Sequence, residues 1–229
     1  MNKAVKTILQ VVLAVVAVGL VYVIVESIQQ PVRFEKERKA REAVAIQRLK
    51  DIRDLQVAYK SANGKFASTV DSLILFYNTG KMDIVMQIGS KDDSLAVVNT
   101  DKLRKANKKI TSAELYQRYL NGERLVFSIK NQVNVKDTLF HNRQDFVVDS
   151  LKYIPFSGGQ FVEMESVIKK VSGVDVPLFE ARMPYKKLLV GMDEQLRINL
   201  DADQRDKNRF EGLQVGSVGV PNNNAGNWE

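Results

Sequence analysis

TILQVVLAVVAVGLVYVIV, residues Thr7 to Val25, is nineteen residues long and carries no charge. As a helix it would be about 28 Å long, close to the ~30 Å hydrocarbon core of a bilayer. The stretch predicts a transmembrane helix over residues 7–28, preceded by a basic head at 1–6 that carries Lys3 and Lys6. A cleaved secretory signal shares the basic head, but its apolar core is shorter and ends at a small-x-small site. Here the best such site, Ala17-Val18-Gly19, lies inside the run, so an uncleaved anchor is the expectation. Lys/Arg counting alone favours a cytoplasmic domain, since Arg33, Lys36, Arg38, Lys39 and Arg41 follow the run. The layout of a short basic head before a near-N-terminal apolar run is that of a signal anchor. The expected topology is thus single-pass in the inner membrane, with the N-terminus cytoplasmic and the large domain periplasmic or otherwise extracytoplasmic.

Outward from the anchor, residues 29–62 read as a charged amphipathic spine helix. Pro31 should kink or briefly break it, because proline lacks the N–H and crowds the preceding turn. Ala45, Leu49, Ile52, Leu55 and Tyr59 follow one another at spacings of 4, 3, 3 and 4, an apolar stripe on one helix face. These five are the candidate packing residues, the membrane-proximal part serving partners and Leu55 and Tyr59 serving the protein's own core. Asn63-Gly64 should end the helix, glycine taking the left-handed conformation readily.

Arg41 to Ala67, REAVAIQRLKDIRDLQVAYKSANGKFA, resembles the segment after the membrane helix in type II secretion pseudopilins and type IV pilins. Tyr59-Lys60, Asn63-Gly64 and Phe66 stand at the positions of that family's turn. Ser68 and Asp71 stand as a capping pair of its following short helix. The resemblance spans residues 5–80. The family's prepilin peptidase signature, Gly, Phe or Met, then Thr-Leu-Ile-Glu, does not precede Thr7, and the first turns of the apolar run hold no Glu. What the resemblance implies is architectural: an anchor, a long helical spine, then a sheet.

The remainder reads as one α+β domain over 63–220, mainly antiparallel sheet, with a polar tail at 221–229. Strand patterns occur at 83–89, 94–99, 125–129, 133–135, 161–171, 174–181, 195–200 and 210–220. Thr111 to Glu114 forms a capping box for a helix to Asn121. Pro177 argues for an edge strand or a bulge.

The 229 residues include no cysteine, which excludes disulfides, thiolate metal sites and cysteine nucleophiles. The net charge of +7 is interleaved with acids, and Lys102 to Lys109 is the one basic run. It carries no aromatic interleaving and reads as a solvated face, so no nucleic-acid partner is expected. His141 is the single histidine and reads as a loop residue. Ser166-x-x-Lys169 lacks the companion Lys-Thr-Gly of penicillin-recognising enzymes. Asn199, Asp201, Asp203 and Asp206 offer oxygens for calcium but miss the glycine and glutamate of an EF-hand, and read as a solvated acidic turn. No catalytic, cofactor or metal residue is expected. The expected function is a membrane-anchored, envelope-facing scaffold or assembly component, with the bilayer, other envelope proteins and spine-mediated self-association as partners. The alternative is a binding module with a cytoplasmic domain, tethered on anionic lipid.

Overall fold

The computed structural model describes the backbone from Lys3 and side chains from Gln10 onward, to Glu229. Residues 1 and 2 of the basic head, and the side chains of residues 3–9, lie outside the described residues. The fold is α+β: a long N-terminal helix followed by a domain with two antiparallel sheets. Helix α1 spans Lys3–Asn63 and runs through Pro31 without a break. Proline forfeits one backbone bond and crowds one turn, and the flanking turns carry the helix across. Gly64, at φ 74°, ends it as expected, its N–H bonded to the Lys60 carbonyl at 2.8 Å.

The chain forms two compact units, where the sequence reading drew one domain over 63–220. One comprises α1 up to Arg53 together with Asp149–Glu229. It holds strands β3 (Glu163–Val171), β4 (Val174–Pro184) and β5 (Gly212–Gly216) in the order β3-β4-β5, with short helix α6 (Tyr185–Leu188) and helix α7 (Glu194–Asp206). Ser172 and Gly173 both take positive φ, 51° and 86°, the geometry a two-residue hairpin turn requires. β4 is the central strand, not an edge. Pro177 is tolerated because β5 pairs only with Glu180–Pro184, so at Pro177 β4 has β3 alone as neighbour, opposite Ile168.

The other unit, Asp54–Val148, pairs β1 (Lys81–Ile88) with β2 (Phe127–Asn134) as an antiparallel ribbon. Around it stand α2 (Val70–Thr79), α3 (Ser94–Ala106), α4 (Ser112–Leu120) and the short α5 (Val135–Thr138). Leu115, Leu125 and Phe127 form a small core with Ile88, Leu103 and Ile110 against it. The capping box at Thr111 and Glu114 is present as read.

Several local expectations are corrected. Residues 94–99 are helix, because Asp93 caps the N–H groups of Leu95 and Ala96 and Ala96 and Thr100 share one buried face. The strand at 195–200 is likewise α7, capped by Asp193. One strand, β2, replaces the two read at 125–135, and β5 is five residues long, shorter than the run at 210–220. The cap of α2 is Thr69, accepting from the Ser72 N–H, where Ser68 and Asp71 were expected. The tail folds back: Gly216 N–H bonds the Ala225 carbonyl at 3.0 Å and Asn227 N–H bonds the Gln214 carbonyl at 3.0 Å.

Candidate functional site

The apolar part of α1 is bare. From Val11 to Val25 every large apolar side chain is 44–70% exposed, on all sides of the helix. This is one helix long and apolar enough to cross a membrane. A water-facing helix, by contrast, keeps its apolar residues to one stripe.

Beyond it, α1 changes from an all-round apolar cylinder to a one-sided seam. The residues that reach the rest of their unit recur at 30, 41, 45, 48, 49, 52 and 53. Gln30 donates to the Asp193 carboxylate at 2.6 Å. Arg41 donates to the backbone carbonyl of Val190 at 2.8 Å and lies 5.1 Å from the centre of the Phe156 ring. Arg48 donates to the Tyr153 carbonyl, and burial pulls its guanidinium below the ordinary value against the opposing pull of Asp51. Arg53 pairs with Glu229 at 2.7 Å. Ala45, Leu49 and Ile52 lie between these contacts with no exposed surface at all.

The spine stripe is therefore interior. Ala45, Leu49, Ile52 and Leu55 are fully buried within the chain itself and Tyr59 is half-buried, stacked edge-on to Phe76 at 5.1 Å. The expectation that the Ala45 end serves partners is corrected. Sequence periodicity finds a buried face but does not say whose atoms bury it. Between Arg38 and Ala45 the exposed alanine and valine positions of α1 are Ala40, Ala43 and Val44.

A polar network flanks the seam. Arg38 pairs with Glu35 and, at 2.6 Å, with Glu42, and both Arg38 and Glu42 are largely shielded from solvent. Tyr185 hydrogen-bonds Glu42, and burial pushes its phenol well above the ordinary range, with the Glu42 bond adding to the shift. Arg38 itself is raised, chiefly by its bond to Glu35. Arg33, Lys39 and Arg41 also have acidic partners along the helix, Glu26, Glu35 and Glu37. Four of the five positive charges after the apolar run, Arg33, Arg38, Lys39 and Arg41, are thus paired within α1, a trait the composition alone did not separate from a basic patch.

Neither family models nor curated proteins nor solved structures match this chain.

The other residues singled out in the sequence fall apart in space or in chemistry. Asp201, Asp203 and Asp206 lie on α7 and not on a turn: Asp201 pairs with Arg197 at 2.5 Å and Asp203 with Lys207 at 2.6 Å. Among the described residues no group of three or more His, Asp or Glu side chains could hold a metal ion. His141 holds the Thr138 carbonyl through Nδ1 at 2.9 Å. Ser166 and Lys169 sit three apart on β3, hence on opposite faces of the strand. A residue missed in the sequence is Gln56, fully buried, whose amide bonds both the N–H and the carbonyl of Ala67 at 2.9 Å. A polar residue between Leu55 and Ala58 on a buried face was the available signal.

Proposed function

We propose that the protein is a membrane-anchored structural or interaction component, pseudopilin-like in architecture. Its lipid-spanning helix continues as a stiff mount for a folded domain. The observation that carries this reading is the seam on α1: the helix that leaves the apolar run is itself the core of the unit, with Ala45, Leu49 and Ile52 buried and Arg41, Arg48 and Arg53 clamping it. A flexible tether would need none of these contacts. The domain would then be held at a fixed distance and angle from the bilayer, which is what a scaffold requires.

In this reading the domain lies outside the cytoplasm of a bacterial inner membrane, and the helix face bearing Ala40, Ala43 and Val44 meets other envelope proteins or another copy of the chain. The reading includes no catalytic role, cofactor or nucleic-acid partner. The internal pairing of Arg33, Arg38 and Arg41 favours it over a tethered module resting on anionic lipid, because paired cations have little charge left for headgroups. Protease treatment of spheroplasts, with a C-terminal epitope, tests it. Cleavage of the epitope in intact spheroplasts is expected, and protection until the cells are lysed would reverse the orientation. Site-specific photocrosslinking from Ala40 and Val44 should capture a membrane protein or a second copy, whereas an empty lane from both would remove the scaffold role.

A further inference from the structure

One face of α7 lines an open cleft of about 590 Å³, whose other walls are the corner at Pro184 and Lys186 and the segment from Arg209 to Glu211. The walls are stitched together where the Tyr185 N–H donates to the Glu211 carbonyl at 2.9 Å. Most charges in the cleft cancel locally. Arg197 holds Asp201 at 2.5 Å and Glu194 at 3.5 Å, and Arg205 holds Glu211 at 3.0 Å. Lys186 and Arg209 do not: both are exposed, and neither has an acidic partner among the described residues.

Asp201 presents the opposite imbalance. Its side chain is only 8% exposed, and Oδ1 is buried with no hydrogen-bond partner. A buried carboxylate oxygen without a donor is costly. Burial accordingly raises the Asp201 pKa against the opposing pull of Arg197. The cleft thus combines two unneutralised cations, one acceptor short of a donor, and apolar surface from Phe210 and Ile198.

We propose that this cleft binds a small hydroxylated anion, with its phosphate or carboxylate on Lys186 and Arg209 and a hydroxyl donated to Asp201. Lysine and arginine suit such a group as a point charge and a planar fork respectively. A soluble polyol phosphate and the phosphoglycerol headgroup of a lipid share this chemistry. The second is included because Asp193, which caps α7, is tied to Gln30, about 8 Å along the helix from Val25, although Arg209 lies past the other end of α7.

The test uses the full chain in phosphatidylcholine nanodiscs, titrated calorimetrically with glycerol 3-phosphate and with inorganic phosphate. Saturable binding is expected, glycerol 3-phosphate at least tenfold tighter than phosphate. Lys186→Gln with Arg209→Gln, both exposed positions, should weaken both ligands at least tenfold with unchanged melting. Asp201→Ala should erase the preference for glycerol 3-phosphate over phosphate, a ratio that the release of Arg197 from its partner does not alter because it acts on both anions alike. Repeating the titration in nanodiscs with phosphatidylglycerol distinguishes the sources: loss of soluble binding assigns the headgroup as occupant, and unchanged binding assigns a soluble ligand. Absence of saturable glycerol 3-phosphate binding in phosphatidylcholine discs, or binding indifferent to the double variant, overturns the proposal.

Discussion

Leu49→Ala and Ile52→Ala strike the seam at its centre. Both side chains have no exposed surface, and both belong to the unit formed by α1 up to Arg53 with Asp149–Glu229. Each change deletes three carbons, about 2.4 kcal/mol at ~0.8 per buried methylene. The cavity left behind raises the loss to about 3–5 kcal/mol, as for other buried leucines. Three residues apart on one helix face, the two share neighbours and need not add. Even one such loss is a large share of the ~5–15 kcal/mol that holds a typical domain together. The single tryptophan, Trp228, lies in the tail that docks on β5 of the same unit, so its fluorescence reports this unit's unfolding. In urea, with a slope of about 2 kcal/mol/M, each variant should lower the midpoint by about 1.5–2.5 M. Val44→Ala, on the open side of the same helix, should shift it by no more than ~0.3 M. Midpoints of Leu49→Ala and Ile52→Ala that coincide with the wild type would show that α1 is a tether lying beside the domain and not its core.

Gln56→Ala strips two partners from buried backbone groups of Ala67, and should cost about 2–4 kcal/mol in the unit Asp54–Val148, read by hydrogen exchange of its amides. Tyr185 holds its proton more tightly when folded than when unfolded. Its contribution to stability is thus complete below its ordinary value of 10.0 and declines as pH rises through the higher folded value. Absorbance at 295 nm should show a late phenol ionisation that Tyr185→Phe removes, and the variant's melting temperature should fall less between pH 9 and 11 than the wild type's. Arg41→Ala should leave the core folded while accelerating exchange at the amides of 188–192, because it removes the donor to the Leu188 and Val190 carbonyls.

The helical half of the fold was legible because its signals are local. An uncharged run of membrane length, a repeating apolar face and Asn63-Gly64 all stand within a few turns of the residues they govern. So does the capping box at Thr111. The β3–β4 hairpin was legible for the same reason, through Ser172-Gly173. The misread strands at 94–99 and 195–200 have short apolar runs that fit either period. What decided them were the aspartates one place upstream, Asp93 and Asp193, whose caps commit the next residues to helix. The strand order was out of reach: Pro177 signals a free edge, and only the pairing of β5 with the far end of β4 shows how a central strand keeps one there. At the candidate site, the stripe from Ala45 to Tyr59 was visible, but its partners were not. Leu188, Val190, Tyr153 and Glu229 lie more than a hundred residues away in sequence, and no spacing rule connects them to Arg41, Arg48 and Arg53.

The central claim is that one continuous stiff helix carries the domain out of the membrane, and a distance across Pro31 tests it most directly. The chain has no cysteine, so Val21→Cys with Val44→Cys, both exposed, gives a clean pair of spin-label sites. Pulsed electron resonance in nanodiscs should return a single narrow distance near 35 Å, as expected for about 1.5 Å per residue along an unbroken helix. A broad distribution, or one centred well below that length, would mean that the chain hinges at Pro31 and that the domain hangs freely from its anchor.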